Sequence, residues 1–389
     1  MAVGTKGFQG ERLTQAREAR SLTVIALADL VGMSAASITQ YEKSNQNPRP
    51  QVVEALADKL NLPTSFFQNP VIKRPEPTIF YRSMSSATKM ARSRAENRYE
   101  WFREITDYLS SYFDFPHLNL PDLDVPVNFK DITGLQIESL AEQVRGEWNL
   151  GASPVGNMIR TLEANGILVS RGSIGADTLD AFSEMDANKQ PYVFLASDFN
   201  VLARSRFSAA HELGHLILHQ NVDKKSIRKA ADFRLIENQA HHFAGAFLLP
   251  AQSFTSELAG FSLDSFRVLK GRWKVSIAAM IKRCEHLGLL SDMQVKRMWI
   301  NITRRGWRRV EPLDESPDEI PQMISRSFEL LLEHGIRTKS QILDDLRLSA
   351  NDVEELACLE SGFFDEDIAS EIAPALKVSS EKVVRFRRS

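Results

Sequence analysis

Cysteine is scarce in this chain of 389 residues, which contains only Cys284 and Cys358. The two lie far apart, and neither has a partner at the spacing of paired metal ligands. A disulfide-stabilised secreted domain is therefore excluded, and a reducing compartment is expected.

Long hydrophobic runs and a strong net charge are also missing. No segment approaches the roughly 18 consecutive apolar residues of a membrane span, and the N-terminal stretch MAVGTKGFQGERL lacks the apolar core of a signal peptide. The net charge is -2, so composition indicates no general attraction to nucleic acid or to a charged surface. We therefore expect a cytoplasmic protein that does not enter a membrane.

The sequence does contain enough apolar residues for several folded domains. Hydrophobic residues make up 43% and charged residues 25% of the chain, which is typical of globular proteins, and the length indicates two or three domains. Residues 11–68 read as four short helices, with Gly32 in a turn and Ser34 as the N-cap of the third. We expect a proline-rich linker at 70–77.

A polar helix is predicted from about residue 85 to 112. Eight Lys or Arg residues lie between 73 and 103. Such a helix suits contact with phosphates or with an acidic partner, but an exposed, hydrated helix is the simpler interpretation. Further on, ILVSRGSI and PYVFLASD are typical of strands, and we expect the second to be an edge strand that aligns an extended peptide.

The stretch FSAAHELGHLILH contains His211, Glu212 and His215 in an H-E-x-x-H pattern. On a helix the two histidines lie about 40° apart and about 6 Å along the axis, so both rings reach one ion. Glu212 lies beside them, as the general base of a zinc peptidase does. A zinc site of this kind needs a third protein ligand.

Glu237 is the best third ligand, since it lies on a second predicted helix, 22 residues after His215. His241 is one turn further on the same face, where it either orients a ligand or coordinates the metal itself. His219 is better explained as a structural histidine, because a third ligand in line on one helix does not close a tetrahedron. The competing interpretation is an amphipathic helix whose polar face carries histidines. Its many leucines favour burial instead, and buried histidines without partners are costly.

At these residues the chain resembles the ImmA/IrrE-type metallopeptidases. The resemblance rests on RFSAAHELGHLILH and ENQAHHFAGAFLLP, is supported by neighbouring segments and covers about residues 135–290. It implies a gluzincin-like peptidase that cleaves repressor proteins, with His211, His215 and Glu237 as zinc ligands and Glu212 as general base. The family usually has Asn or Asp where this chain has His241.

Residues 11–68 resemble an XRE-type helix-turn-helix domain, through LTVIALADLVGMSAASITQYEKSNQNP. The resemblance implies that the second helix of the motif enters the major groove. Of the residues on that face, only Gln40 suits a bidentate base contact, and seven Lys or Arg face six Asp or Glu over residues 1–70. The alternative is a protein-interaction module. The residues predicted to contact DNA are Ser34, Ala35, Ala36, Ser37, Thr39 and Gln40.

Together these features predict a mainly α protein with a small α+β zincin-like catalytic domain, a helix-turn-helix domain of four to five helices and a C-terminal helical domain. The predicted divisions are 1–70 for the helix-turn-helix domain, 71–127 for a linker with a basic helix, 128–300 for the peptidase and 301–389 for the C-terminal helical domain.

The leading hypothesis is a regulatory zinc endopeptidase that cuts a repressor-type protein, with double-stranded DNA as a second partner and a homodimer as a possible assembly. The alternative is a DNA-binding or antitoxin-like regulator that uses the peptidase fold as a sensor or scaffold. Tyr192, His242 and Arg206 are unranked candidates for stabilising the oxyanion.

Overall fold

The computed structural model describes residues 4–74, 80–81, 88–175, 179–198, 201–222, 226 and 229–365. Helices dominate this part of the chain. In chain order they are α1 (Gly10–Ala19), α2 (Val24–Leu30), α3 (Ala35–Glu42), α4 (Pro50–Leu60), α5 (Lys89–Leu109), α6 (Gly134–Glu147), α7 (Met158–Ala164), α8 (Leu202–Leu218), α9 (Ala230–Leu248), α10 (Ala251–Ser256), α11 (Leu263–Trp273), α12 (Ile277–His286), α13 (Asp292–Arg304), α14 (Met323–Glu333), α15 (Lys339–Leu346) and α16 (Ala350–Leu356).

The four predicted N-terminal helices correspond to α1–α4. Ser34 caps α3 as predicted, because its side chain accepts a hydrogen bond from the Ser37 amide at 3.1 Å. A short 3₁₀ turn, Thr64–Gln68, follows α4. Its Phe66 and Phe67 are fully buried, so this turn completes the hydrophobic core of the N-terminal helices.

A mixed sheet of four strands lies in the middle of the molecule, in the order β1-β3-β4-β2. Its strands are β1 (Phe80–Tyr81), β2 (Leu168–Gly172), β3 (Ala181–Met185) and β4 (Pro191–Ala196). β4 pairs in parallel with β2 and antiparallel with β3. The prediction that PYVFLASD forms an edge strand is therefore wrong. β4 is internal, so its hydrogen-bonding groups are already used and an incoming peptide has no free edge to join there.

The sheet separates two hydrophobic cores. Val193 and Leu195 of β4 point to the core that contains α8 and α9, while Tyr192 and Phe194 point to the core that contains α5. This alternation follows from the pleat of a strand. A sheet covered on both faces explains why all six residues of β4 are buried and apolar.

Helix α5 is a core element rather than an exposed basic helix, so the sequence-based interpretation of this segment is corrected. Trp101 and Phe102 are fully buried, and Arg98 and Arg103 are nearly so. Arg103 pairs with Glu184 at 3.0 Å, and Arg98 pairs with Glu355 at 2.7 Å. Because these two cations are buried and already have carboxylate partners, they are not free to contact phosphates.

The C-terminal helices α14–α16 close the second core. Ser170 of β2 donates a hydrogen bond to Leu356 O at 2.6 Å. Arg20 of α1 forms a bidentate ion pair with Asp352 of α16, at 2.6 and 2.7 Å. One core spans 129–302, whereas the other joins the N-terminal module, α5, one sheet face and 324–364. The division at residues 70, 127 and 300 stays a prediction.

No single helix within the described ranges has the length and apolar character needed to cross a membrane. Val24–Leu30 and Ala35–Glu42 meet that test only when taken together, as a pair bent by 113°.

Candidate metal centre

Helix α8 brings two histidine rings together in the protein interior. His211 and His215 are fully buried, as expected for residues one turn apart on the inner face of a helix. Their Nε2 atoms lie 3.0 Å apart, and the ring centroids are separated by 4.6 Å. Two buried imidazole nitrogens at this separation are arranged so that both can coordinate one metal ion.

Glu237 of α9 completes the group from the facing helix. Its Oε2 lies 3.4 Å from His211 Nε2, and its Oε1 lies 3.3 Å from His215 Nε2. Burial alone raises the pKa of this carboxyl, but the neighbouring His211 and His215 lower it by more, and the net result lies well below the usual range. Glu237 is therefore a carboxylate, the form that binds a metal.

The approach of α9 to α8 depends on Gly214, which lies between the two histidines. A Cβ atom added there meets Ala240 Cα, Ala240 O and Phe243 Cβ, each at 3.2 Å. Two of these three atoms belong to the backbone of α9, so they cannot turn away as a side chain does. The glycine thus lets the helices lie close enough for Glu237 to reach the histidines.

The donor set fits a zinc ion. One ligand atom from each of His211, His215 and Glu237 lies within 4.8 Å of the other two. Two imidazole nitrogens and one carboxylate form a common ligand set of catalytic zinc. Neither carboxylate oxygen of Glu237 receives a conventional hydrogen bond within the described structure, although both are buried. A bound cation would satisfy them.

Hydrogen bonds beyond the ligands fix the tautomer of His215. Gln239 Nε2 donates to the carbonyl oxygens of Phe129 and Ile132, at 2.7 and 3.3 Å. Its Oε1 is left to accept from His219 Nε2 at 3.1 Å. His219 Nδ1 then accepts from His215 Nδ1 at 3.0 Å. The protonated Nδ1 leaves the Nε2 lone pair of His215 directed at the metal position.

His219 is thus a positioning residue, in agreement with its assignment as a structural histidine. Burial, followed by the influence of His215, lowers the pKa of His219 to about 3. The ring is neutral at ordinary pH, so one nitrogen accepts and the other donates. Sequence reasoning missed Gln239, whose only signal is its place two residues after Glu237.

Glu212 is held by a residue of the sheet. Ser183 Oγ of β3 donates to Glu212 Oε2 at 2.6 Å, and both residues are almost fully buried. The contact fixes one carboxylate oxygen of Glu212. Sequence reasoning missed Ser183 because the short, polar stretch AFSEM carries no strand pattern of its own and forms β3 only by pairing with β4.

His241 lies outside the three-residue ligand group. Its ring lies 4.5 Å from the ring of His211 and 5.7 Å from that of Phe207, centroid to centroid. The residue is half-buried and lines a cleft of about 970 Å³ together with Phe207 and Asn238. His241 therefore borders the metal position from the open side, where a substrate would enter.

The three candidates for oxyanion stabilisation are engaged elsewhere. Tyr192 lies on the other face of the sheet, in ring contact with Tyr99. His242 Nε2 lies 2.7 Å from Glu138 Oε1. Arg206 pairs with Glu319 and donates to Val155 O at 2.5 Å. None of them is a member of the three-residue ligand group, and a role in stabilising the oxyanion stays a prediction for all three.

The predicted DNA-contacting face lies on the surface of the N-terminal module. Ser34, Ala36 and Gln40 are exposed, whereas Ala35, Ser37 and Thr39 are half-buried. Gln40 Oε1 accepts a hydrogen bond from Asn45 at 3.0 Å, and both residues are exposed. The geometry leaves this face accessible and weakly polar.

Comparison with known families agrees with these observations. Residues 162–285 match the IrrE N-terminal-like domain of the M78 peptidases, a range that includes the three ligand candidates and Glu212. Residues 10–65 match a helix-turn-helix domain. No curated protein matches the chain. The chain therefore joins an N-terminal helix-turn-helix domain, over residues 10–65, to an IrrE N-terminal-like domain, over residues 162–285.

Proposed function

We propose that this protein is a zinc-dependent endopeptidase that acts as a regulator. The observation that supports this most directly is the group formed by His211, His215 and Glu237. Glu212 adjoins it on the same helix, and its carboxylate is fixed by Ser183. A metal bound only for stability would not require an oriented carboxylate beside it.

The residues divide the chemistry of amide hydrolysis between them. Zinc, when bound, supplies a Lewis acid that polarises the scissile carbonyl. Glu212 accepts a proton from the attacking water on one carboxylate oxygen and passes it to the departing amine. Ser183 restricts the rotation of that carboxylate, while His219 and Gln239 hold His215 in its ligating tautomer.

The cleft beside His241 has the size of a peptide site. Its volume of about 970 Å³ lies at the upper end for binding pockets. Phe207 and Asn238 line it near the metal position. We propose a repressor-type protein as the substrate, bound through an extended segment.

The helix-turn-helix module would bring the peptidase to DNA or to a DNA-bound repressor. The proposed contacts are Gln40 with a base edge, and Ser34, Ala35, Ala36, Ser37 and Thr39 around it. The module is fixed to the rest of the chain, since Arg12 pairs with Glu104 at 2.7 Å and Arg20 with Asp352. Movement of the module is thus tied to that of the peptidase. A cytoplasmic location and a homodimer belong to the same proposal.

Metal analysis combined with a cleavage assay tests the proposal. The full-length protein is incubated with the repressors encoded beside its gene, as wild type, as Glu212→Gln and as Glu142→Gln, an exposed glutamate of α6. We expect one zinc per chain in all three proteins. Cleavage should be lost in Glu212→Gln alone and should also stop when a chelator removes the metal.

The alternative function, a regulator that uses the peptidase fold as a scaffold, predicts a different result. In that case Glu212→Gln retains full regulatory function in cells. Such a result, or a protein that binds no zinc, would contradict the proposed endopeptidase.

A further inference from the structure

One wall of the cleft comes from a segment beyond the matched peptidase domain, which ends at residue 285. Trp299 of α13 and Trp307, Arg308 and Arg309 of the following turn line the same cleft as His241. Arg308 and Arg309 are exposed, and Trp307 is half-buried. We name Trp307, Arg308 and Arg309 the basic wall.

The basic wall is fixed in place by buried ion pairs. Lys270, whose side chain is 2% exposed, pairs with Glu311 at 2.8 Å and with Asp314 at 2.5 Å. Glu311 also accepts the Ile277 amide at 2.7 Å, at the start of α12. Since Glu311 follows the basic wall by two residues, the turn is anchored to the same helix that borders the cleft. The position of the basic wall is therefore fixed by buried contacts.

Trp307 is held in position by its neighbours. The guanidinium of Arg305 lies 4.9 Å from the Trp307 ring centroid, and Arg305 pairs with Asp264 at 2.7 Å. One part of Trp307 packs against the core that surrounds the metal position. The remaining part offers an apolar face beside two arginines.

The acidic residues that line the cleft do not neutralise the arginines of the basic wall. Asp180 is paired with Arg204 at 2.5 Å, and Glu311 and Asp314 are used by Lys270. Arg308 Nε donates to Thr303 Oγ1 at 2.9 Å. Within the described ranges, neither Arg308 nor Arg309 forms an ion pair with a carboxylate. The wall therefore carries two positive charges that are available to a ligand.

We propose that the basic wall is a specificity-determining surface, which selects substrate segments that carry an acidic side chain next to an apolar one. The acidic group pairs with Arg308 or Arg309, and the apolar group packs on Trp307. This inference rests on the proposed function, because His241, whose ring lies 4.5 Å from that of His211, lines the same cleft. It assigns the substrate class as an extended acidic peptide segment.

A peptide fits the cleft better than a nucleic acid does. Asp180 lies in the same cleft, and Ala278 and Ala279 of α12 form an apolar part of its lining. A phosphate backbone carries a negative charge at every nucleotide and would therefore also place charges against this apolar lining. A peptide can place one acidic group at the basic wall and apolar groups elsewhere.

Binding to an inactive protein tests the inference separately from catalysis. The probes are fluorescein-labelled dodecapeptides that share an Ala-Leu-Phe-Ala core and carry Asp, Ser or Lys in the flanking positions. They are titrated against full-length, zinc-loaded Glu212→Gln by fluorescence anisotropy. We expect the Asp peptide to bind about tenfold more tightly than the Ser peptide, and the Lys peptide to bind most weakly.

Charge reversal identifies the residues responsible. Arg308→Glu combined with Arg309→Glu in the Glu212→Gln background should abolish or invert the preference. The matched control is Arg304→Glu, an exposed arginine of α13 that does not line the cleft, and it should keep the preference. Zinc content should be equal in all variants, which shows that the site is intact.

Three results of the peptide titrations overturn the inference. They are an unchanged preference in the doubly reversed variant, an absence of binding to every peptide, and an equal loss of preference in Arg304→Glu. A 20-base-pair duplex is titrated in parallel. Duplex binding that is lost in the double variant, with no peptide preference, would assign the wall to nucleic acid instead. Cleavage of repressors that is indifferent to the double variant refutes the specificity while leaving the peptidase proposal intact.

Discussion

Ser183 and Glu212 are joined by a hydrogen bond of 2.6 Å between the strand β3 and the helix α8. The serine is not a member of the ligand group, yet it fixes the carboxylate that would act as general base. This relationship makes the sheet part of the site, because the position of β3 sets the orientation of Glu212.

We expect Ser183→Ala to lower kcat by about tenfold to a hundredfold, since a base that rotates freely is less often in position for proton transfer. KM and zinc content should stay the same, because Ser183 binds neither metal nor peptide. The measurement is steady-state cleavage of a repressor substrate. Ser170→Ala on β2, whose hydroxyl serves Leu356 O, is the matched control. An unchanged kcat in Ser183→Ala would show that Glu212 is positioned by other contacts.

His219→Ala should weaken zinc binding by about 10- to 100-fold, because His215 loses the acceptor that holds its Nδ1 proton. Competition against a chromophoric chelator measures this affinity. Gln239→Leu should act in the same direction, as it removes the next acceptor in the chain. His334→Ala, an exposed histidine after α14, should have no effect. Equal zinc affinity in His219→Ala and wild type would refute the role of this hydrogen-bonded chain.

Gly214→Ala should move α9 away from α8 and weaken zinc binding, because the new methyl group meets the backbone of Ala240. Overpacking of this kind costs about 1–3 kcal/mol in the free energy of unfolding. Gly146→Ala in α6 has open space around the new atom and should stabilise the protein by a few tenths to about 1 kcal/mol. Urea denaturation and zinc titration measure both effects. Wild-type behaviour of Gly214→Ala would mean that the helices adjust without loss.

Asp352→Asn tests the link between the N-terminal module and the C-terminal helices. Asp352 pairs with Arg20 and lies 3.5 Å from Arg98, so the variant removes a buried carboxylate from Arg20 and leaves Arg98 with Glu355 alone. The expected loss of stability is about 3–5 kcal/mol. Limited proteolysis should then cut between the module and α5 first.

Asp345→Asn provides the comparison for that experiment. Asp345 pairs with Arg337 at 3.4 Å, and its side chain is 45% exposed. Removal of this pair should cost less than about 1 kcal/mol. If both substitutions had the same small effect, the contact with Asp352 would not hold the module in place.

Local patterns account for the parts of the protein that sequence reasoning placed correctly. The helical spacing of His211 and His215 is a property of one helix, and Glu237 lies on a long apolar helix that is easily recognised. Strand β4 is rich in β-branched and aromatic residues, as expected for a strand buried on both faces. The capping of α3 by Ser34 depends on four consecutive residues, Ser34 to Ser37.

Nonlocal pairing accounts for the errors. The stretch that forms β3 gains its hydrogen bonds from β4, so its own composition gives no strand signal. Helix α5 was predicted to be exposed because its apolar residues are interspersed with arginines. The ion-pair partners of Arg103 and Arg98 are Glu184 and Glu355, which lie far away in the sequence. The internal place of β4 follows from the strand order, which no single segment encodes.

Local sequence patterns are enough to predict the candidate ligands, their helical spacing and the candidate general base, because residues four apart on a helix point in nearly the same direction. The distance between α9 and α8, the residue that orients Glu212 and the segment that forms the second wall of the cleft are visible only in the folded structure. These depend on contacts between residues distant in the chain. Their geometry is set by packing and burial, which are properties of the whole fold.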